Sequence, residues 1–299
     1  MCYPQKGTGA ICGLFGKTRQ AWYKQQWSAK DDDLKDAVII KMVKDIRDRM
    51  PRIGTRKLHY MLAEGLERHG ISLGRDKLFD LLASYGLLVR RRRRKRVFTT
   101  DSRHPFKRYP NLIKEMTVQR PNHLWVSDIT YIGLQDRFCY LGLVTDAYSR
   151  KITGYCLHPT LKRDGPVAAL QMAMDTLPAT LQQPLIHHSD RGLQYCCSEY
   201  IALLESKHMT ISMTENGDPY ENALAERVNG IMKSEFELDR DFNSFEEALT
   251  AVDAAIATYN DLRPHASCDY LTPGNAHQKK GALPLRWIPK KKKEAVMST

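Results

Sequence analysis

The chain has 299 residues, 42% of them hydrophobic, and a net charge of +12. That length allows one sizeable core and smaller modules. No apolar run approaches the roughly 20 residues that span a bilayer, and the N-terminus lacks the charged start, apolar core and small-residue cleavage site of a secretory signal, so a membrane-spanning or secreted chain is not expected. The seven cysteines are an odd number, which points to reduced thiols in a cytosol rather than to a disulfide framework.

The charge is segregated. Residues 1–120 carry 28 Lys and Arg against 12 Asp and Glu, residues 121–278 carry 11 against 21, and the last 21 residues carry seven against one. Basic flanks around an acidic centre suit segments that grip a polyanion and a body that gathers carboxylates.

In chain order, residues 10–27 outline part of a helix-turn-helix: a short apolar segment from Ile11 to Phe15, Gly16, then Thr18 as the cap of a second helix. Val38, Ile39, Met42, Val43 and Ile46 recur at helical spacing up to Met50-Pro51, Thr55 opens a second helix with Leu58 and Leu62, and Leu78, Leu81 and Leu82 mark a third. Three short helices with a basic surface suggest a DNA-binding module, with a generic helical bundle as the bland alternative. Arg90, Arg91, Arg92, Arg93, Arg94, Lys95 and Arg96 follow without interruption. Such a block repels itself and suits an extended arm along phosphates. Residues 97–120 read as a polar linker punctuated by Pro105 and Pro110, and Lys290 to Lys293 as a disordered tail.

From residue 121 the pattern changes to strands. His123 to Ile132, Phe138 to Ala147 and Ile152 to Leu161 read as three strands, with Ser149-Arg150-Lys151 as a hairpin turn. A helix from Gly165 to Leu177, a strand at Leu185–His188, a helix at Ser198–Lys207, a strand at Thr210–Thr214 and helices over 222–237 and 244–260 complete an α/β domain with a mixed sheet.

Three carboxylates stand out. Asp128 lies in a strand of apolar and aromatic neighbours, where a charge is costly unless it binds something. Asp190 lies where a hydrophobic strand meets a Gly-containing loop. Glu226 lies on a helix, seven residues before Lys233 and on one stripe with it, about 10 Å apart. Carboxylates at the ends of two strands and on a helix can hold two Mg²⁺ ions, which activate the attacking oxygen and stabilise the leaving one at phosphorus. By composition alone Asp136, Asp146, Glu221 or Glu235 could stand in for any of them.

The stretch HHSDRGLQYCC at 187–197 also invites a zinc reading, but its paired histidines and paired cysteines are adjacent, and neighbours on a strand face opposite ways. A Ser189–His nucleophile is disfavoured for the same reason, and the cysteines are expected to pack. A rival of another class is a non-catalytic DNA-binding regulator, which explains the basic N-terminal third but not the acidic centre.

Asp190 and Glu226 are separated by 35 residues (191 to 225), with Lys233 beyond, among WVSDITYI at 125–132, HSDRGLQY at 188–195, ENALAERVNGIMKSE at 221–235 and YNDLRPH at 259–265. These words resemble the DDE transposases of the integrase superfamily, most closely the second-reading-frame (OrfB) protein of the IS-three family of bacterial insertion sequences. The resemblance implies a ribonuclease-H-like, mixed five-stranded sheet with flanking helices, preceded by an all-α helix-turn-helix region. Its domains would be a partial helix-turn-helix (1–30), a helix-turn-helix (34–89), a basic arm and linker (90–120), an integrase catalytic core (121–280) and a basic tail (281–299).

It further implies that Asp128, Asp190 and Glu226 are catalytic and bind two Mg²⁺ ions, with Mn²⁺ as a substitute, and that Lys233 contacts terminal DNA. His188, Gly192, Gln194 and Tyr195 would shape the loop, and Arg263 and His265 would be structural. The implied reaction is DNA 3′-end cleavage and strand transfer. The implied partners are element ends and target DNA, a first-frame product as fusion or partner, and further copies of the chain on DNA, in the cytoplasm at the nucleoid with no membrane.

Overall fold

The computed structural model describes residues 8–90, 105–114, 116–179, 181–215 and 222–283. The expected arm from Arg91 to Arg96 and the tail at Lys290–Lys293 lie outside these residues. The chain divides into two compact units, one of residues 1–48 and 53–89, the other of 49–52 and 90–299.

The first unit is all helical: α1 (Thr8–Leu14), α2 (Arg19–Arg47), α3 (Thr55–Arg68) and α4 (Arg75–Ser84). Thr18 caps α2 by accepting a hydrogen bond from the Ala21 N–H. No boundary falls between residues 30 and 34; α2 runs unbroken for 29 residues because neither Gly nor Pro occurs between its ends. Ile39, Val43, Leu58, Leu62, Leu78 and Leu82 are buried to 6% exposure or less and form the core that the helical spacing anticipated. Gly70, at φ +65°, supplies the left-handed residue that ends α3.

The second unit is built on a sheet with strands β1 (Leu124–Leu134), β2 (Phe138–Asp146), β3 (Ile152–His158), β4 (Ile186–Ser189) and β5 (Thr210–Met213), in the order β3-β2-β1-β4-β5. β1, β2 and β3 pair antiparallel, whereas β1, β4 and β5 pair parallel. This is the expected ribonuclease-H-like mixed sheet of five strands, to which the two-residue β6 (Asp241–Phe242) adds a short parallel pairing with β1. The β2–β3 hairpin turns at Arg150, which takes φ +67°. Asp146, fully buried there, accepts hydrogen bonds from the Asn122 N–H, the Ser149 N–H and the Ser149 hydroxyl, each at 2.7 Å. It is a turn-building carboxylate, not a site residue.

Helices α5 (Asp164–Asp175), α6 (Leu193–Cys196) and α7 (Ser198–Ser206) cover one face of the sheet around Trp125, Ile129 and Val144. The other face receives α8 (Ala223–Glu235) through Ala225 packed near Val126. Helices α9 (Phe245–Asp261) and α10 (Pro273–His277) complete the unit. The segment read as a polar linker is only partly one: Ile113, Met116 and Val118 pack beside Leu124 and Val126, and the Met213 N–H donates to the Pro110 carbonyl at 3.2 Å. Residues 110–112 thus form a strap along β5.

Gly154 of β3 is where α5 approaches most closely. A Cβ there would lie 2.1 Å from the Ala169 carbonyl oxygen and 2.6 Å from the Ala173 nitrogen. Since both obstacles are backbone, Gly154→Ala is expected to cost about 3 kcal/mol. Chemical unfolding that shows a loss below about 1 kcal/mol would disprove this close packing.

Candidate active site

The sheet brings Asp128 and Asp190 together. In the parallel β1–β4 ladder Val126 pairs with His188. Two residues further along both strands lie Asp128 and Asp190, opposite one another and on one face because side chains alternate. The ladder stops at Val126 and His188, and the strands part beyond it. This is also where strand order reverses, β1 leading to β2 on one side and β4 on the other, so the two carboxylates sit at the topological switch point where α/β sheets bind ligands.

Helix α8 crosses this opening. Asn229 donates from Nδ2 to Asp128 Oδ2 at 2.8 Å, while the Ile129 N–H donates to Oδ1 at 2.9 Å. Both oxygens of Asp128 are therefore oriented. Glu226 precedes Asn229 by three residues and shares its side of the helix; it is exposed and lies in the first turn of α8, where the helix dipole favours a carboxylate. Asn229 itself is 6% exposed and its Oδ1 has no partner among the described residues. It was missed by sequence reasoning, although a signal exists: a polar residue interrupts the buried stripe of Ala225, Val228 and Met232.

The residues around Asp190 are tied down by hydrogen bonds and packing. The Gly192 N–H donates to Asp190 Oδ1 at 2.9 Å, and a Cβ on Gly192 would crowd that oxygen at 3.0 Å. Gln194 does not touch the aspartate; its amide donates to the Leu161 carbonyl at 2.8 Å and ties the β3–α5 loop to α6. His188 Nδ1 lies 2.9 Å from the Ser212 hydroxyl, which accepts the Leu112 N–H of the strap. Tyr195 is buried, and burial foremost, then Tyr200, Asp128 and Asp190, raises its phenol pKa. His187 faces the opposite way from His188, with Nε2 2.8 Å from Ser127 Oγ and 2.9 Å from Tyr200 OH. Burial, then His188, lowers its pKa to about 3, so it is neutral. Ser189 is buried. Cys196 and Cys197 are buried as well and pack, as expected.

Electrostatics fit a cation. Burial foremost, then Asp190, pushes the Asp128 carboxyl up to about 7, against the hydrogen bonds from Asn229 and Ile129; Glu226 adds the weakest push. No cationic side chain figures among these influences. Among the described residues no three His, Cys, Asp or Glu side chains converge into a finished ligand cage. Hard oxygen donors held apart in this way suit Mg²⁺, which retains waters and takes up substrate phosphate oxygens instead of filling an all-protein shell. Of the substitutes allowed by composition, Asp136 is exposed, Glu235 is ion-paired with Arg263, and Glu221 lies outside the described residues. Lys233, on the same stripe of α8 as Glu226, rests its ammonium 3.4 Å from the centre of the Tyr131 ring.

Residues 118–219 match the integrase core domain family, and residues 207–273 match a second family of the same description. The insertion element IS600 uncharacterized 31 kDa protein of Shigella sonnei is 33% identical over 90% of this chain and 98% of its own length. The transposase for insertion sequence element IS904 of Lactococcus lactis is 32% identical over 59% of this chain and 74% of its own. Transposase InsF for insertion sequence IS3A of Escherichia coli is 34% identical over 51% of this chain and 53% of its own.

Proposed function

The chain belongs to the IS-three family of insertion-sequence transposases, OrfB type, with an integrase-like DDE core, and from that premise we propose that Asp128, Asp190 and Glu226 are its catalytic triad, acting on the DNA ends of its own element. The observation that carries this assignment is that Asp128 and Asp190 each lie two residues past the in-register pair Val126–His188, at the switch point, with α8, which bears Glu226, bonded to Asp128 through Asn229.

The three carboxylates would hold two divalent ions, Mg²⁺ or in its place Mn²⁺. When bound, these ions supply Lewis acidity at phosphorus and lower the pKa of an attacking oxygen. Asn229 and the Ile129 N–H fix the orientation of Asp128, and the Gly192 N–H fixes that of Asp190. In the first reaction water adds its oxygen to the terminal phosphodiester, the 3′ oxygen departs, and one proton from the water ends on that oxygen. In the second, the freed 3′-OH attacks another phosphodiester, whose own 3′ oxygen departs and takes up the proton that the attacking hydroxyl loses. One P–O bond forms for each that breaks, so no external energy source is required. Lys233 binds a phosphate near the reacting end.

In the first unit, α3 and α4 would dock on the element's terminal sequence, and the Arg90–Arg96 run would follow its backbone. Seven phosphate contacts from that run imply a log–log salt slope of about −6. The first-frame product as fusion or partner, further copies of the chain on the DNA, and a nucleoid location in the cytoplasm complete the proposal. No helix among the described residues is long and apolar enough to cross a membrane.

The test is to incubate the protein with labelled element-end DNA and Mg²⁺ or Mn²⁺, beside Asp190→Asn. Metal-dependent nicking by the wild type and its loss in the variant are expected. Binding without nicking, even for the first-frame fusion, would leave a regulator and refute the enzyme.

A further inference from the structure

We infer that Tyr131 is the positioning residue for Lys233: its ring holds the lysine ammonium over the open stretch of β1, at the place where a phosphate of the DNA end is received. The inference rests on the reading of Lys233 as a DNA contact and names what makes that contact possible.

Lys233 lies four residues after Asn229, so the two share the side of α8 that meets β1. Asn229 fixes that side to Asp128; Lys233, one turn on, reaches Tyr131, three residues on along the same strand. A lysine on a four-carbon stem with three freely rotating donors has no intrinsic reason to stop there. The ammonium nonetheless sits 3.4 Å from the ring centre, well inside the roughly 6 Å over which a ring face attracts a cation.

The ring is itself held. Tyr131 pairs with Tyr140 in the β1–β2 ladder, and Phe138 is its diagonal neighbour on the same face. The Tyr131 and Phe138 rings meet edge to face, with centroids 5.3 Å apart and planes at 74°, a geometry that directs positive ring edge at negative ring face and holds the pair together.

The consequence is a fixed spacing. Asp128 and the seat of Lys233 belong to one strand, so the distance between the reacting phosphate and the neighbouring phosphate contact is set by β1, not by the lysine's own rotamers. A ring face also holds a cation without neutralising it. An aspartate or glutamate in the place of Tyr131 would compete with phosphate for the ammonium, which a ring face does not.

The experiment is a double-mutant cycle in the full chain, with strand transfer of labelled end DNA as one readout. The other is the proton shift of the Lys233 ε-methylene in ¹³C-lysine-labelled protein, assigned by its absence in Lys233→Gln. The ε-methylene is expected upfield in the wild type and in Tyr131→Phe, and at its ordinary position in Tyr131→Leu. Tyr131→Leu should lower strand transfer about fivefold, the scale of a partly exposed cation–ring contact, with Tyr131→Phe within about twofold of wild type. In the Lys233→Gln background, Tyr131→Leu should have no further effect. If Lys233→Gln alone leaves strand transfer unchanged, the DNA role of Lys233 falls and this inference with it. If Lys233→Gln impairs strand transfer but Tyr131→Leu is as damaging with glutamine at 233 as with lysine, or if the ε-methylene shift survives in Tyr131→Leu, Lys233 keeps its role and the inference alone is overturned.

Discussion

Asp128→Asn is expected to melt higher than the wild type in metal-free buffer at pH 8 while losing strand transfer by on the order of 10³-fold. The two effects share one cause. The Asp128 carboxyl titrates at about 7 in the folded chain, raised by burial and by Asp190, from an ordinary value of 3.8. A folded-state pKa above the unfolded one means that the folded protein holds its proton more readily. The stability this provides is complete below about pH 4 and is lost as pH rises towards 7. Three units correspond to an upper bound of about 4 kcal/mol.

The net gain from Asn is smaller, about 1–2 kcal/mol, because the residue is only partly enclosed and because an amide cannot satisfy both donors now held by the carboxylate. The Asn229 amide keeps its acceptor, but the Ile129 N–H then faces an NH₂ group. Melting curves at pH 8 should separate the two proteins by roughly 3–6 °C, and those at pH 4 should nearly coincide. Mg²⁺ should raise the wild-type curve and leave the variant's in place. A wild type that is the more stable protein at pH 8 without metal would show that Asp128 is not a strained carboxylate awaiting a cation. Stability surrendered at a site for the sake of its ligand is the usual mark of function.

How much of this could be read in advance follows from the range of the interactions. β1 through β5 were legible because each is a compact β-branched or aromatic run, and the triad because its words are distinctive. The pairing of Asp128 with Asp190 was legible only through resemblance; it depends on the register Val126 to His188, set by packing across 60 residues of chain. The same holds for Asn229, whose partner lies 101 positions away, and for Tyr131, which looks like one more aromatic residue in a strand until α8 brings Lys233 to it.

Two local readings went astray for local reasons. The boundary expected between residues 30 and 34 does not exist, because polar residues do not stop a helix when no Gly or Pro is present, and α2 continues through that stretch. The segment before β1 looked polar because its apolar residues Ile113, Met116 and Val118 are widely spaced; their partner is a sheet face formed elsewhere.

Arg263→Ala is expected to destabilise the chain by about 3–5 kcal/mol. The guanidinium is 2% exposed and grips Glu235, itself 14% exposed, with Nε to Oε2 at 2.9 Å and Nη2 to Oε1 at 3.0 Å. It also lies over the Tyr259 ring at 5.5 Å. Removing the arginine takes the two-pronged cationic partner from a carboxylate at the last residue of α8, where the helix dipole is already negative. Arg263→Lys keeps the charge but loses the two-pronged geometry and should fall between wild type and Ala. Replacing both partners, Arg263→Met with Glu235→Leu, should recover most of the loss, since a buried ion pair is worth little more than apolar residues of the same volume.

Urea unfolding of the four proteins decides it: a single Arg263→Ala cost below about 1 kcal/mol, or no recovery in the double variant, would show that the pair is not what secures this end of the helix. The position gives the result a functional edge. Glu235 is two residues beyond Lys233 on the helix that also carries Glu226 and Asn229, so a loosened C-terminus of α8 frees the lysine end first. Arg263→Lys should therefore impair strand transfer more than it impairs the metal-induced rise in melting temperature, which reports on the carboxylates at the other end.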